Sequence, residues 1–329
     1  MSYEREREVA VAAVEAASVL CQTVQAELVR ESSMAKEDKS PVTVADFGAQ
    51  ALVVHTLAGE FPDVPLVGEE DAAELRKDEN AGLRAQVCAH VNRTVPALGE
   101  AEILELIDRG TYEGGAKGRH WTLDPIDGTK GFLRLDQYAV ALALIEDGEV
   151  VLGVLGCPNL PLDSNDENGA RGCLFVAVKG EGSFTRPLSG GAEVPVAVTD
   201  IVDVSKANFC ESVESGHSSQ GDSAKVADLL GITVPPHRID SQCKYAAVAR
   251  GDASIYMRLP TRKDYEEKIW DHAAGSIVVS EAGGRVTDIT GADLDFSLGR
   301  TFTKNNGVVV TNGHVHDVVI AAVQEVLGI

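Results

Sequence analysis

The first third of the chain carries apolar positions at helical spacing. From residue 4 to about residue 30, apolar residues recur every three or four positions against a polar opposite face, and this period predicts an amphipathic helix. Residues 40–43, which include Pro41, interrupt the pattern, and a second helix is predicted from about residue 45 to 57. Residues 71–118 are polar, mostly helical in pattern and loop-like at their end.

The pattern changes from helical to extended near residue 121. Runs rich in Val, Leu and Ala predict strands at 121–124, 138–146, 149–155 and 173–179. Asp147 and Gly148 separate two of these strands, and this dipeptide predicts a tight hairpin. Residues 161–172 are typical of a loop, and residues 186–192 are typical of a connector.

Beyond residue 201, predicted strands and helices alternate. Strands are predicted at 208–213, 237–239, 253–257 and 307–311, and helices at 221–230, at 245–251 and from Asp271 to Gly283-Gly284. This alternation favours an α/β domain. We therefore predict two domains, an α+β domain over residues 1–200 and an α/β domain over residues 201–329. His314 and His316, near the end of the chain, are interpreted as surface residues.

Composition narrows the range of partners. The chain has 329 residues, 44% of them hydrophobic, which is typical of a soluble globular protein and long enough to bury a core without disulfides. Its formal net charge is −22, from 29 basic and 51 acidic residues. So acidic a surface repels nucleic acids and anionic membranes. A small anionic substrate remains compatible with it, because bound metal ions reverse the field locally.

The cysteines and the N-terminal residues indicate the cellular compartment in which the protein is expected. None of the six cysteines forms a C-x-x-C pair, and scattered thiols favour a reducing compartment. No continuous apolar run approaches the roughly 18 residues that a membrane-spanning helix needs. Glu4, Glu6 and Glu8 argue against a signal or transit peptide in this sequence. We expect a cytoplasmic protein, or a plastid or mitochondrial one if a transit peptide was trimmed, that is a monomer or homodimer.

Acidic residues at four places in the chain are candidates for metal chemistry. An isolated Asp is most often a helix N-cap or a solvated charge. Here, however, D-P-I-D-G-T and a later W-D-H-A-A-G occur together, and the combination predicts a metal centre. The candidates are Asp46, Glu69 with Glu70, Asp124 with Asp127, and Asp271, which is predicted to begin a helix.

The segment around Pro125 is the most specific of these signals. A predicted strand delivers Asp124, and Pro125 is expected to end strand pairing and force a turn. Such a turn can direct the carboxylates of Asp124 and Asp127 toward one point, with the carbonyl of Ile126 between them. Mg²⁺ prefers oxygen ligands of this kind together with substrate phosphate.

Two residues that follow are candidates for phosphate binding. Gly128 and Thr129 open a predicted short helix, whose free N–H groups could cradle a phosphate next to the metal. We therefore expect metal and substrate phosphate to meet at this point of the chain.

The motifs resemble a known superfamily. The segments that carry the resemblance are V-G-E-E (67–70), W-T-L-D-P-I-D-G-T-K-G-F (121–132), W-D-H-A-A-G (270–275) and E-A-G-G (281–284). They are similar to the lithium-sensitive, magnesium-dependent phosphatases, which include inositol monophosphatase and fructose-1,6-bisphosphatase. Within that group, H-V-N-R-T, E-G-G-A-K-G-R-H-W, G-C-P-N-L, H-S-S, D-S-Q-C-K-Y and Y-E-E-K-I-W-D-H resemble the 3′(2′),5′-bisphosphate nucleotidases. The resemblance runs from about residue 39 to residue 311.

The resemblance implies a fold and a set of metal ligands. The implied fold is a layered α-β-α-β-α sandwich, with a large and mainly antiparallel sheet in the first domain and the active site in a cleft between the domains. The implied ligands of two or three Mg²⁺ ions are Glu69, Asp124, the Ile126 carbonyl, Asp127 and Asp271. Asp46 and Thr129 are implied to act on the attacking water. Glu70 is assigned a supporting role as a base or ligand positioner.

The resemblance also implies a nucleotide site. The residues assigned to it are Gly128, Thr129, His217, Ser218, Ser241, Lys244 and Arg258, of which Lys244 and Arg258 would bind a second phosphate. Two positions depart from the pattern: Cys243 stands where Ala is expected, and Gln220 where His is usual.

Three functional hypotheses follow. The first is a nucleotidase that converts adenosine 3′,5′-bisphosphate to AMP and phosphate, with the sulfated nucleotide as a further substrate. The second is an inositol phosphate 1-phosphatase, and the third is an inactive nucleotide-binding regulator.

Overall fold

The computed structural model describes residues 2–31, 40–166, 168–216, 218–262 and 265–329. Within these ranges the helices are α1 (Glu4–Glu31), α2 (Ser40–Glu60), α3 (Ala81–Thr94), α4 (Glu100–Asp108), α5 (Thr129–Arg134), α6 (Gln220–Leu229), α7 (Cys243–Ala249), α8 (Ala273–Glu281) and α9 (His316–Leu327). Short 3₁₀ turns lie at Asp78–Asn80, Val204–Lys206 and Ile269–Asp271.

The strands form two sheets. The first sheet contains β1 (Leu66–Gly68), β2 (Arg119–Asp127), β3 (Ala139–Glu146), β4 (Glu149–Pro161), β5 (Arg171–Val178), β6 (Gly182–Pro187) and β7 (Val194–Pro195), paired in that order. The second contains β8 (Phe209–Glu211), β9 (His237–Arg238), β10 (Ile255–Arg258), β11 (Arg285–Thr287) and β12 (Val308–Thr311), in the order β11-β12-β10-β8-β9. The predicted boundary at residue 200 falls between the two sheets.

The first sheet is antiparallel apart from the parallel pair β1–β2. The predicted hairpin is confirmed: Glu146 pairs with Glu149 across Asp147 and Gly148. Both turn residues have positive φ, 51° and 83°, as the tight turn between twisted strands requires. The second sheet is mixed, since β10 pairs parallel with β8 and antiparallel with β12.

Alternate residues of β3 show how the layers stack. Val140, Leu142 and Leu144 belong to one buried cluster with α1 and α2, whereas Ala139 and Ala141 belong to another with α7 and α8. Both faces of the strand are therefore covered, which explains its continuous apolar sequence.

The second sheet is covered in the same way. Tyr256 and Val310 pack toward α7 and α8, and Ile255 and Val309 pack toward α6 and α9. The layer order is thus helix, sheet, helix, sheet, helix, and the predicted five-layer sandwich is confirmed.

Several boundaries differ from the predictions. Helix α2 begins at Ser40, because Pro41 lies in its first turn, where no backbone N–H has an intrahelical partner. Strand β6 was missed and overlaps the predicted connector at residues 186–192. Strands β7 and β11 and helix α9 were also missed.

The surface assignment of His316 is wrong. Its side chain is 1% exposed, and its ring nitrogens lie 2.9 Å from Thr287 Oγ1 and 3.0 Å from Thr311 Oγ1. The imidazole therefore joins β11 and β12 beneath α9. His314 is exposed, as predicted.

Two helices are long and apolar enough to cross a membrane by length and composition alone, over Glu4–Leu28 in α1 and Val42–Glu60 in α2. Neither is a continuous apolar run, but the average hydropathy of each is high. The inner faces of both helices pack on the first sheet. That placement is typical of core helices.

Candidate active site

A cleft of about 590 Å³ opens where the end of β2 and the start of α5 face α7, β10 and the Ile269–Asp271 turn. It brings together ten of the predicted site residues: Glu69, Asp124, Ile126, Asp127, Gly128, Thr129, Ser241, Lys244, Arg258 and Asp271. Asp46, Glu70 and Ser218 are described but do not line the cleft. His217 lies outside the described residues, so its predicted role stays a prediction.

A β-bulge aims the two carboxylates of β2. Asp124 pairs with Ala141 and Asp127 pairs with Ala139, so three steps along β2 oppose two steps along β3. Residues three apart on a regular strand point to opposite faces, and the extra residue brings both carboxylates to the same face. The predicted turn at Pro125 is wrong, because pairing continues to Asp127. Pro125 lies inside the bulge, where its missing N–H breaks no ladder hydrogen bond.

Asp271 reaches the cleft from the second half of the chain. It ends the Ile269–Asp271 turn, and the α-helix begins two residues later at Ala273. The prediction that Asp271 begins the helix is therefore wrong by two residues. Asp46 likewise lies in the second turn of α2 rather than at its start, since the helix begins at Ser40.

The clustered carboxylates resist ionisation. Burial, followed by the charges of Glu70 and Glu69, raises the pKa of Asp46 well above its usual value. Burial and neighbouring acids likewise raise the pKa of Asp124 well above its usual value. Dehydration and the charge of Asp271 raise the pKa of Glu69 to about 8, although its side chain still meets solvent at the cleft.

Three further carboxylates share this environment. Burial and the charge of Asp71 raise the pKa of Glu70 to about 7. Burial and the charge of Asp271 raise the pKa of Asp127 to about 6, against the opposing effects of Lys244 and Arg258. Burial also raises the pKa of Asp271. Repulsion among acids of this kind is relieved when a cation binds between them.

The residues fit a hard divalent cation. Asp124 is 3% exposed, and its Oδ1 atom has no hydrogen-bond partner among the described residues. A buried carboxylate oxygen without a donor is unfavourable, and a metal ion would satisfy it. Ligand atoms of Glu267, Asp271 and His272 also lie within 4.8 Å of one another, but Glu267 already contacts Arg258 and His272, so Asp271 is the member of this group that we assign to the metal. Carboxylate and carbonyl oxygens are the ligands that Mg²⁺ prefers.

These shifts predict how metal and pH affect stability. The raised pKa values of Glu69 and Glu70 mean that the unfolded chain loses these protons at lower pH than the folded protein does. In chelator, stability should therefore fall as pH rises from about 6.5 to about 8.5. Because Mg²⁺ binds the ionised carboxylates, we expect it to raise the melting temperature more at pH 8.5 than at pH 6.5.

Thermal unfolding with Mg²⁺ or chelator at both pH values measures this difference. His120 and His316 do not interfere, because burial lowers the pKa of each to about 4. Both imidazoles are neutral in the folded and unfolded states over most of the range from pH 6.5 to 8.5. Their protonation destabilises the folded protein only at lower pH. An equal effect of Mg²⁺ at both pH values would contradict a carboxylate metal site.

Gln242 is a site residue that sequence reasoning missed. Its backbone N–H donates to Asp127 Oδ2 at 2.6 Å. Its buried side chain donates to the carbonyl of Trp270 at 2.8 Å and accepts from the N–H of Gly275 at 2.9 Å. Gln242 thus ties Asp127 to the segment that carries Asp271. In the sequence, the position of Gln242 within the D-S-Q-C-K-Y segment was the one indication that it belongs to the site.

Gln50 holds the other acidic segment and was also missed. Its carboxamide accepts from the N–H of Glu70 at 3.2 Å and donates to the carbonyls of Glu70 at 2.7 Å and Ile107 at 2.8 Å. A Cβ atom at Gly68 would lie 2.6 Å from Gln50 Oε1, so a larger residue there would displace the Gln50 carboxamide from these hydrogen bonds. Gln50 lies one helical turn after Asp46, so the two side chains share a face of α2. This spacing indicates a helix, but it does not indicate that Glu70 and Ile107 are the partners of Gln50.

The two cations predicted to bind a second phosphate, Lys244 and Arg258, have different surroundings in the cleft. Arg258 forms a salt bridge with Glu267 at 2.7 Å and lies 3.5 Å from Asp271 Oδ2. Lys244 is 4% exposed and stacks over the ring of Tyr256, with Nζ 5.1 Å from its centroid. Among the described residues, its ammonium has no hydrogen bond or ion pair. Of these two residues, Lys244 is therefore the one whose charge is available to an anionic ligand.

Glu267, which holds Arg258, belongs to a buried relay that was not predicted. His272 Nε2 lies 3.3 Å from Glu267 Oε2, and its Nδ1 lies 2.7 Å from Tyr245 Oη. Glu267 occurs within the Y-E-E-K-I-W-D-H segment, but nothing in the sequence distinguishes it from Glu266.

The remaining predicted residues have varied positions. Ser218 is buried, and its hydroxyl accepts from the N–H of Leu259 at 3.0 Å, so it braces β10 away from the cleft. Ser241 has φ 65°, and its Oγ accepts from the N–H of Cys243 at 3.2 Å, at the start of α7. In the described part of the chain, no hydrogen bond joins Thr129 to Asp46.

Gly128 lies at a close approach between the two halves of the chain. Its φ is 91°, and a Cβ atom there would lie 2.9 Å from Ser241 Cβ. Both the left-handed backbone and the close approach require glycine. This contact holds the start of α5 against the start of α7 across the cleft.

Comparisons with known proteins agree with this architecture. A family model described as the inositol monophosphatase family matches residues 3–327. Among solved structures, an inositol monophosphatase from Anabaena has a TM-score of 0.64 at 20% identity and covers 99% of this chain and 97% of its own. One from Zymomonas mobilis has a TM-score of 0.63 at 18% identity, covering 98% and 99%. At these identities the likeness shows the fold.

Curated relatives are much more similar in sequence. A protein of Emericella nidulans named 3′(2′),5′-bisphosphate nucleotidase is 50% identical, over 99% of this chain and 99% of the relative. Proteins with that name from Schizosaccharomyces pombe (98% and 96% covered) and, as 3′(2′),5′-bisphosphate nucleotidase 1, from Arabidopsis thaliana (99% and 97%) are each 48% identical. The similarity therefore extends over both sheets and the cleft between them.

Proposed function

The chain belongs to the inositol monophosphatase family, and from that premise we propose that it is a Mg²⁺-dependent phosphatase that converts adenosine 3′,5′-bisphosphate to AMP and phosphate. The observation that supports this substrate is the pairing of an acidic cluster with Lys244, a buried cation without an ion-pair partner among the described residues. A substrate with two phosphates would place one at the acidic cluster and the other at Lys244. The names of relatives about 50% identical support the same substrate.

The residues divide into those that hold metal and those that handle protons. Glu69, Asp124, the Ile126 carbonyl, Asp127 and Asp271 would hold two or three Mg²⁺ ions. Bound Mg²⁺ supplies a Lewis acid for the phosphoryl group and lowers the pKa of water.

Two side chains are assigned to the water that attacks phosphorus. The hydroxyl of Thr129 orients this water, and Asp46 accepts the proton that passes through the hydroxyl. The raised pKa of Asp46 makes it a stronger base than an exposed aspartate. Glu70, with its pKa raised to about 7, is suited to exchange protons near neutral pH.

The uncleaved phosphate and the nucleoside occupy the other end of the cleft. Lys244 donates to the phosphate, and Ser241 and Gly128 shape the wall between the two phosphate positions. Arg258 contributes charge to this region, although its salt bridge with Glu267 limits how far it can turn toward a ligand.

An inositol phosphate 1-phosphatase is the second candidate, because the structural neighbours named above are inositol monophosphatases. A substrate panel separates the two. We expect kcat/KM for adenosine 3′,5′-bisphosphate to exceed that for inositol 1-phosphate, whose single phosphate leaves Lys244 without a partner. It should also exceed that for inositol 1,4-bisphosphate, which has two phosphates but no nucleoside to fill the rest of the cleft. Preference for either inositol phosphate would contradict the nucleotidase proposal.

The same assay tests the metal. We expect Mg²⁺ to support phosphate release and chelator to abolish it. Ca²⁺ should inhibit, because it is larger and less strict in geometry than Mg²⁺, and Li⁺ inhibition is implied by the resemblance to lithium-sensitive phosphatases. Full activity in chelator would contradict metal dependence, and no phosphate release from any substrate would favour an inactive regulator.

A further inference from the structure

Arg300 lies outside the cleft lining but contacts the chain next to Glu69. Its guanidinium donates hydrogen bonds to the backbone carbonyls of Gly68 at 2.6 Å, Tyr112 at 2.9 Å and Gly110 at 3.2 Å. Gly68 ends β1 and directly precedes Glu69. A planar cation with three such bonds fixes the point at which the chain leaves β1.

The same guanidinium contacts the chain next to Asp271. Its Cζ lies 4.9 Å from the ring centroid of Trp270, the residue before Asp271, in a cation–π contact. The main chain of Arg300 is attached to the same segment, because its carbonyl accepts a hydrogen bond from the N–H of Ile269 at 3.1 Å. Arg300 is thus anchored beside Asp271 and reaches across to Glu69.

The backbone that leads into Arg300 closely approaches the loop that follows Tyr112. A Cβ atom at Gly114 would lie 3.3 Å from the backbone of Gly299, and one at Gly299 would lie 3.0 Å from the carbonyl of Glu113. Gly299 also has φ 106°, which favours glycine. The backbone leading into Arg300 is therefore held directly against the loop that follows Tyr112.

We propose that Arg300 is a positioning residue for the metal centre, which sets the separation between Glu69 and Asp271. This inference rests on the proposed function, because it concerns the same metal ligands. Gln242 holds Trp270 from the other side and ties it to Asp127, so Arg300 supplies the link that Gln242 lacks, the one to Glu69. Residues that orient metal ligands without touching the metal typically change metal affinity by about 10- to 100-fold when mutated.

If Arg300 acted only through its charge, its removal would change the Mg²⁺ affinity in the opposite direction. A guanidinium near the acidic cluster repels Mg²⁺, so its removal would strengthen Mg²⁺ binding if Arg300 acted only through its charge. A positioning role predicts weaker binding whether or not the charge is kept. Arg300→Leu removes the charge, whereas Arg300→Lys keeps it and loses the planar fork that spans three carbonyls.

Titration calorimetry of the full chain with Mg²⁺ alone tests the proposal. We expect the Mg²⁺ dissociation constant to rise by about 10- to 100-fold in both variants. At saturating Mg²⁺, KM for adenosine 3′,5′-bisphosphate should change by less than about threefold, because substrate contacts are intact. Arg285→Leu is the matched control, since Arg285 is exposed and pairs with Asp317 far from the cleft, and it should bind Mg²⁺ like the wild type.

Unfolding in chelator separates positioning from support of the fold. A lower melting temperature with unchanged or tighter Mg²⁺ binding would overturn the proposal. If Arg300→Leu does not fold, Arg300→Lys decides by the same criterion. Failure of the wild-type protein to bind Mg²⁺ would instead overturn the proposed function, and the two failures are thereby distinguished.

Discussion

Asp127→Asn is expected to lower kcat by at least about 100-fold while the fold remains intact. Asp127 is a proposed metal ligand at the end of the β2 bulge, and asparagine has the same shape with one charge fewer. The backbone N–H of Gln242, 2.6 Å from Asp127 Oδ2, can still donate to the amide oxygen. The substitution should therefore weaken metal binding and slow the chemical step without affecting folding.

Circular dichroism and phosphate release, measured on the same preparations, check this expectation. Without metal, the variant should be at least as stable as the wild type, because burial and Asp271 already raise the pKa of Asp127 to about 6. Asp228→Asn, at an exposed position of α6, is the matched control and should be fully active. If the variant retained more than about a tenth of the wild-type rate, the assignment of Asp127 as a metal ligand would be contradicted.

Lys244→Ala is expected to lower kcat/KM for adenosine 3′,5′-bisphosphate by roughly 10- to 150-fold, the loss of one charge-assisted hydrogen bond of about 1.5 to 3 kcal/mol. Weak hydrolysis of inositol 1-phosphate should change by less than about threefold, because its single phosphate lies at the metals. Each variant is thus compared on two substrates, which separates recognition from chemistry. Equal losses on both substrates would assign Lys244 to the fold or the metal site.

Lys244→Met is the control for packing. Methionine retains an apolar chain against the ring of Tyr256 but carries no charge, so it should show the same selective loss as alanine without the cavity. Lys244 is 4% exposed, and burial lowers its pKa, so removal of the charge should not destabilise the free protein. Activity recovered in Lys244→Met would mean that packing, and not phosphate binding, is what Lys244 contributes.

Arg258 should behave differently from Lys244, although the sequence suggests the same role for both. Its salt bridge with Glu267 and its position 3.5 Å from Asp271 mean that its removal leaves buried acids uncompensated. We expect Arg258→Ala to reduce activity on both substrates and to lower the melting temperature. Loss confined to the nucleotide would show that Arg258 acts on the substrate alone.

Local sequence determined the elements and the chemical type of the site. The helical period of α1, the Asp147-Gly148 hairpin and the apolar run of β3 follow from side-chain spacing, which acts within one element. D-P-I-D-G-T and W-D-H-A-A-G identified acidic residues that the fold brings to one cleft. Such signals are readable because a ligand and the backbone that aims it are adjacent in the chain.

Tertiary structure alone decided which side chains meet. Asp124 and Asp127 share a face because β3 imposes a bulge on β2, and Pro125 did not reveal that pairing. Gln50, Gln242 and Arg300 act on backbone up to 232 residues away, where no spacing rule applies. Lys244 and Arg258 looked equivalent in sequence, and they differ because Glu267 neutralises one of them. Burial and charge depend on neighbours that only the folded chain supplies.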